Sequence, residues 1–189
     1  MRYAQLVLLP ALPMLVGCAA KFETIPVQPL ELASTLPYSS IYILNVEPNV
    51  AEDVSKEISE LEIELVERIR ELEVVPRVAL GDGSATPRDA LLIDISISHI
   101  RKVTRWKRLF LREWAGRASL RASVDFIEGN TGTHLGSYQV VGESGCGEFS
   151  GGTGDAVEKT AEAIVGIVVE NYSLRLPGAS ALLGALGTN

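Results

Sequence analysis

The cysteines and histidines are the residues of this chain with the most reactive side chains. Cys146 lies in the run Ser144–Gly147, which superficially resembles a nucleophile loop. A cysteine nucleophile needs a base, and only His99 and His134 could supply one. An unreactive thiol, or one paired with a partner, also accounts for Cys146. No spacing among these residues matches a known zinc ligand set. The sequence therefore predicts no catalytic residues, no metal site and no cofactor.

A glycine-rich loop precedes the last predicted helix. Gly151–Gly154 could present free backbone N–H groups to a phosphate at the helix N-terminus. The loop has neither the lysine of a P-loop nor the spacing of a dinucleotide fingerprint. Asp155 and Glu158 at the same helix end would repel an anion. A turn followed by an N-cap is the favoured interpretation.

The N-terminal segment has the features of a secretory signal. Arg2 supplies positive charge, and Ala4–Val16 is almost wholly apolar but shorter than the roughly 20 residues of a membrane-spanning helix. Leu15–Cys18 (LVGC) resembles the lipobox of bacterial lipoproteins. The resemblance implies cleavage between Gly17 and Cys18 and attachment of diacylglycerol to the Cys18 sulfur, which reacts as a thiolate. The alternative is a short buried apolar segment that contains an ordinary cysteine.

The residue after Cys18 bears on localisation. Ala19, in place of an aspartate, resembles the outer-membrane sorting pattern of Gram-negative lipoproteins. We therefore expect a lipid anchor on the periplasmic face of the outer membrane, with the inner membrane as the alternative.

Composition and charge exclude several classes of protein. The chain has 189 residues, 47% of them hydrophobic, and a formal net charge of −7. The hydrophobic fraction is too high for a disordered chain, and the acidic balance argues against a nucleic-acid binder. Two cysteines cannot form a multi-disulfide framework.

One segment is strongly basic although the chain as a whole is acidic. Between Arg101 and Arg121 there are eight basic residues and one acidic residue. At helical spacing the apolar residues of 104–114 would share one side, a basic amphipathic pattern suited to an anionic membrane or an acidic protein partner. The residues predicted to contact such a surface are Arg105, Trp106, Lys107, Arg108 and Arg112. The alternative is that these arginines lie on a solvated strand face and neutralise the acidic first helix, while the aromatic residues cover the end of the sheet.

Hydrophobic periodicity outlines the folded region. An apolar stripe from Val54 to Leu72 at spacings of three and four predicts a helix, opened by a capping box at Asn49 and Glu52. Five glutamates are expected on its solvent face: Glu57, Glu60, Glu64, Glu67 and Glu71. A second stripe, opened by a capping box at Asp155 and Glu158, predicts the closing helix over Ala161, Ile164, Val165, Val168 and Tyr172. Strands are predicted at Ser39–Val46, Val74–Val78, Leu91–Ile100, Ala118–Phe126 and His134–Val141.

These elements predict an α+β fold with the order β-α-β-β-β-β-α. A β-α-β start joins parallel strands, whereas the later hairpins require antiparallel pairing. We therefore expect two layers: one mixed, mostly antiparallel sheet with two helices on one face. The predicted organisation is a signal peptide (1–17), the lipidated cysteine with an extended tether (18–38), a single domain (39–176) and a disordered tail (177–189).

The region from Leu91 to Tyr172 resembles a family of uncharacterised bacterial outer-membrane lipoproteins, a domain of unknown function. The resemblance rests on LLIDISIS from Leu91, RASL from Arg117, EGNTG from Glu128 and FSGGT from Phe149. It implies a lipoprotein domain that faces the periplasm, and no known activity.

Three hypotheses for function follow. The first is a non-enzymatic interaction or structural module, anchored to the envelope through Cys18. The second is a small-ligand or lipid-binding accessory lipoprotein of an envelope transport system. The third is a hydrolase that uses Cys146 or surface carboxylates. The sequence names no protein partner and no oligomeric state.

Overall fold

Two helices and seven strands form the part of the chain that the structure describes. The computed structural model describes residues 19–30, 38–73, 75–81, 87, 89–103, 116–145 and 152–173. The predicted signal peptide, Cys18 and the predicted tail lie outside the described residues. The helices are α1 (Ser55–Glu71) and α2 (Thr153–Ser173). The strands are β1 (Lys21–Gln28), β2 (Ser40–Leu44), β3 (Glu47–Pro48), β4 (Arg77–Gly81), β5 (Ala90–Arg101), β6 (Ser119–Glu128) and β7 (His134–Glu143).

All seven strands belong to one open, mixed sheet. Its order is β1-β7-β6-β5-β2-β4, and the short β3 pairs with β5. The long ladders among β1, β7, β6 and β5 are antiparallel, whereas β2 pairs in parallel with both β4 and β5. The predicted α+β fold is confirmed, including the parallel pair joined through α1. The structure adds β1 and β3 to the predicted order.

Both helices pack on the same face of the sheet, as predicted. On α1, Leu61, Leu65 and Ile69 are fully buried, as the predicted stripe requires. On α2, Ile164 and Val168 are buried in the same hydrophobic cluster. Alternate residues of the sheet complete this core because successive side chains of a strand point to opposite faces. The other face of β5, β6 and β7 is called the open face, and it carries polar side chains apart from a small hydrophobic cluster around Tyr42 and Leu92.

The start of each helix differs from the predicted capping boxes. Helix α1 begins at Ser55 with Val54 at the N-cap, and no side chain caps it there. Asp53 instead accepts hydrogen bonds from the Ser55 backbone N–H (3.1 Å) and hydroxyl (2.7 Å). Helix α2 begins at Thr153, which places Asp155 in its first turn. Asn49 and Asp155 are therefore not N-caps, because each helix starts at a different residue.

The prediction of a tether over residues 18–38 is corrected by β1. Lys21–Gln28 pairs with β7 along its length and forms one edge of the sheet. Just beyond the strand, the Leu30 N–H donates to the Tyr138 hydroxyl at 3.0 Å. Gly136 permits this crossing, since a Cβ there would lie 2.6 Å from the Leu30 Cα. The prolines of this segment, Pro26, Pro29 and Pro37, favour an extended tether in the sequence, but proline is compatible with an edge strand such as β1.

The register defines two ends of the sheet. Lys21 pairs with Glu143, Glu143 with Ser119, and Ser119 with Arg101. We call this row the Lys21 end. The opposite end, where β7 begins, is called the His134 end. Helices α1 and α2 both begin at the Lys21 end, because the chain enters each of them from the strands that finish there.

Candidate functional site

None of the site residues predicted from the sequence lies in the described part of the chain. These residues are Gly17, Cys18, Arg105, Trp106, Lys107, Arg108 and Arg112, and Cys146 is outside it too. The structure does describe their neighbours. Residues 104–115 connect Val103, which follows β5, to Gly116, which precedes β6, and both of these lie at the Lys21 end. Ala19 is also described, two residues before β1 begins at that same end.

Basic side chains cluster on the open face at the Lys21 end. Glu143 forms salt bridges with both Lys21 (3.4 Å) and Arg117 (3.2 Å). Arg101 occupies the same row, three strands away from Lys21. The row is therefore about 14 Å wide at the usual spacing of neighbouring strands. Among the described side chains of this row, Glu143 contacts Lys21 and Arg117, and Arg101 adds a further positive charge.

A second basic pair lies one step further along the open face. His99 on β5 is directly opposite Arg121 on β6, and both side chains are exposed. A bulge between Ile97 and His99 turns Ser98 outward as well, and its hydroxyl donates to the Arg121 carbonyl oxygen at 3.3 Å. Arg101 and Arg121 have no acidic partner among the described residues. They are the cations of this surface that remain available to an anion.

Lys102 connects the Lys21 end to the helical layer. Its ammonium donates to the Glu57 carboxylate at 2.8 Å and to the Asp53 carbonyl oxygen at 2.6 Å. The Glu57 side chain is 8% exposed, so the prediction that Glu57 faces water is wrong. A buried carboxylate is tolerated here because a cation pairs with it. Hydrogen bonds from Ser55 hold the pKa of Asp53 below its usual value, and the charge of Lys102 adds to this effect.

The middle of the open face carries carboxylates. Asp94 on β5 lies directly opposite Asp125 on β6, and Glu47 on β3 pairs with the neighbouring Ser96. Partial burial raises the pKa of Asp94, and the negative charges of Glu47 and Asp125 raise it further. The described carboxylates are therefore concentrated in the middle of the open face, whereas Arg101 and Arg121 lie at the Lys21 end, where Glu23 is in the same row as Arg121.

Asp125 also belongs to a serine–histidine–aspartate cluster. The His134 Nε2 lies 2.9 Å from Asp125 Oδ1 and 3.0 Å from the Ser137 hydroxyl, and that hydroxyl donates to the same Asp125 oxygen. In a catalytic triad the imidazole uses one nitrogen for the nucleophile and the other for the carboxylate. Here one nitrogen faces both groups, and the Ser137 hydroxyl donates its hydrogen bond to the carboxylate. The cluster is a cross-strand hydrogen-bond network between β6 and β7.

His134 and the residue before Cys146 lie at opposite ends of β7. His134 is the first residue of β7, whereas Gly145, the residue before Cys146, follows the end of that strand. A strand of this length spans about 30 Å. His134 and Gly145 are therefore at opposite ends of the sheet.

The outer edge of β1 is the second candidate surface. Strand β1 pairs with β7 on one side, and no described strand pairs with its other side. Three of its apolar side chains are exposed: Phe22 (44%), Ile25 (44%) and Val27 (65%). An edge strand offers a row of unpaired backbone N–H and C=O groups, which can accept a strand from another chain. Lys21, Phe22 and Glu23 also line a shallow groove against Val141 and Glu143 of β7.

The described residues contain neither a candidate membrane span nor a candidate metal site. Within the described residues, neither helix combines the length and hydropathy that a membrane span requires. No three His, Cys, Asp or Glu side chains of the described residues are grouped so that they could hold a metal ion.

The fold resembles those of several solved structures, although their sequences are only distantly similar. Neither a protein-family model nor a curated protein matches the sequence. Among solved structures, the PelC dodecamer from Paraburkholderia phytofirmans has a TM-score of 0.52 at 10% identity, covering 77% of this chain and 96% of that one. This chain has a PelC-like fold. A Xanthomonas campestris protein of the family DUF330 gives a TM-score of 0.45 at 9% identity, covering 75% of this chain and 88% of its own. Lipoprotein GNA1162 from Neisseria meningitidis gives 0.38 at 10% identity, covering 73% and 99%.

Sequence reasoning missed the convergence at the Lys21 end. The basic character of residues 101–121 was visible, but the partners of Arg101 and Arg121 depend on strand register. One signal could have located Lys21 beside them. Polar and apolar residues alternate from Lys21 to Ile25 (KFETI), which is typical of a half-buried strand.

Proposed function

We propose that this protein is a lipid-anchored lipoprotein of the cell envelope whose domain is a non-enzymatic interaction module facing the periplasm. The observation that carries the proposal is the edge strand β1. It begins at Lys21, three residues after the lipobox-like Cys18, and exposes apolar side chains along an unpaired edge. A lipid on Cys18 would therefore hold this edge close to the membrane. Ala19 supports the outer membrane in preference to the inner one.

The anchor is tested by removing the sulfur to which the lipid would be attached. In a bacterial host that processes lipoproteins, Cys18→Ser is expected to leave unprocessed precursor and to abolish labelling by a clickable palmitate analogue. Serine has no sulfur, so it cannot form the thioether that the cysteine thiolate would form. Cys146→Ser is the matched control and should be processed and labelled like the wild type. Normal processing and labelling of Cys18→Ser would refute the anchor.

The partner that we propose for β1 is a second copy of this chain. PelC, which has a similar fold, is a dodecamer, and an exposed apolar edge strand is a surface on which copies can pair. The full-length protein in detergent is expected to be oligomeric by light scattering. Ile25→Lys combined with Val27→Lys should shift it to the monomer, because charges on an edge strand oppose pairing.

The control for this change is Ile63→Lys, since Ile63 is 56% exposed on α1, away from the sheet edge. This variant should keep the oligomeric state of the wild type. A monomeric wild type at all accessible concentrations, or an unchanged oligomer in the β1 variant, would contradict the proposal for this edge.

A further inference from the structure

We propose that the Lys21 end of the open face rests directly on the anionic phospholipid surface of the membrane to which the protein is anchored. The inference deepens the proposed function and rests on the lipid at Cys18. The surface consists of Lys21, Arg101, Arg117 and Arg121, with His99 beside them.

The length of chain between the anchor and the sheet limits where the domain can be. Two residues separate Cys18 from Lys21, and the three Cα-to-Cα steps between them span at most about 11 Å when fully extended. Lys21 is already in β1, paired with Glu143. Because the sheet is rigid, the whole row from Lys21 to Arg101 is then held near the lipid headgroups rather than on a long tether.

The charge of this surface matches an anionic membrane. Glu143 forms salt bridges with Lys21 and Arg117, and the exposed Arg101 and Arg121 add positive charge to this surface, to which Glu23 contributes a further carboxylate. The carboxylates on the helical side, Asp53 and Glu57, contact Lys102 and belong to a different face. At physiological ionic strength the Debye length is about 8 Å, so an anchored row of cations lies within reach of the surface potential.

The carboxylates of the open face oppose an orientation in which this face lies flat on the membrane. Asp94 and Asp125 face each other in the middle of the open face and Glu47 lies beside Ser96, so anionic lipid would repel this part of the face. The exposed Arg101 and Arg121 lie at the Lys21 end instead, where Glu23 is in the same row as Arg121. The anchor and the positions of these charges therefore favour contact through the Lys21 end.

The experiment measures which arginines the membrane protects. The full-length lipidated protein is reconstituted into phosphatidylcholine vesicles with or without phosphatidylglycerol, and arginines are modified with phenylglyoxal and quantified by mass spectrometry. On anionic vesicles, Arg101 and Arg121 should react at least about fivefold more slowly than on neutral ones. Arg77, exposed on β4 at the His134 end, is the internal control and should react equally on both. In about 1 M salt, where the Debye length is about 3 Å, the protection should disappear.

Charge reversal provides a second measurement. The side chain of Lys21 is 62% exposed and can be acetylated. With Arg101→Glu and Arg121→Glu together, Lys21 should lose its protection on anionic vesicles, whereas Arg77→Glu should leave that protection intact. An unchanged melting temperature of the double variant would confirm that the domain is folded.

The outcomes separate this proposal from the proposed function. Protein that does not float with vesicles and lacks the lipid mass refutes the anchor itself. Lipidated, floating protein whose Arg101 and Arg121 react equally on both vesicles refutes only the orientation, as does equal protection of Arg77. Protection on neutral vesicles supplied with inorganic phosphate would show that the surface binds free phosphate instead, and would also overturn the proposal.

Discussion

Replacing Gly142 with alanine is expected to destabilise the domain by about 1–3 kcal/mol or more. Gly142 lies on β7 where α2 crosses the sheet. A Cβ at this position would lie 2.6 Å from the Thr160 backbone nitrogen, and closer still to the Ala156 carbonyl oxygen and the Thr160 hydroxyl. None of these atoms is the far end of a flexible side chain, so α2 would have to move away from the sheet.

Such a movement would disturb the core around the contact. Thr160 is fully buried, and its hydroxyl donates to the Ala156 carbonyl oxygen at 2.8 Å. Lifting α2 would separate Ile164 and Val168 from the sheet as well, because they share one face of the helix with Thr160 and Ala161. The close approach at Gly142 is therefore a condition for packing the whole length of α2.

A matched glycine provides the control. Gly166 is exposed on α2, and a Cβ there would meet no atom within 4 Å. Gly166→Ala should stabilise the domain by up to about 1 kcal/mol, since alanine is the better helix former. The measurement is the midpoint of denaturant unfolding for both variants and the wild type. Equal midpoints for Gly142→Ala and the wild type would mean that α2 does not pack on β7 as described.

Leu61→Ala is expected to cost about 2–5 kcal/mol of folding free energy. Leu61 lies in the middle of α1, is fully buried, and packs in the cluster between the helices and the sheet. Truncation removes apolar contacts and leaves a cavity that its neighbours fill only in part. Leu65→Ala, one turn further along the helix and equally buried, should have an effect of the same size.

Ile63 is the control on the same helix. Its side chain is 56% exposed, so Ile63→Ala should change stability by no more than roughly 0.5 kcal/mol. Chemical denaturation of the two variants measures the difference. Similar losses at Leu61 and Ile63 would show that the buried face of α1 has been assigned incorrectly.

The sequence was sufficient for the elements that depend on local patterns. The stripe of α1 places Leu61, Leu65 and Ile69 in the core because residues three and four apart share one face of a helix. The alternation from Leu91 to Ile100 identified β5 and its core side in the same way. The parallel pair β2–β4 followed from the β-α-β connection.

The exceptions are positions at which a distant residue decides the outcome. The helical pattern predicts that Glu57 faces solvent. It is buried instead because Lys102, 45 residues away in sequence, pairs with its carboxylate. Pro26 is typical of coil, yet the segment that contains it pairs with β7 as the edge strand β1. Neither partner can be recognised from the pattern around Glu57 or Pro26.

The sequence by itself determined the helices, most strands, the α+β class, the lipobox resemblance and the basic character of residues 101–121. Only the tertiary structure decided that the start of β1, two residues beyond Ala19, lies at the same end of the sheet as Arg101 and Arg121. The physical reason is that helical and strand periodicity record interactions between near neighbours in the chain. The alignment of Lys21, Glu143, Ser119 and Arg101 in one row depends on hydrogen-bond register between four strands, which forms only when segments from opposite ends of the chain pair.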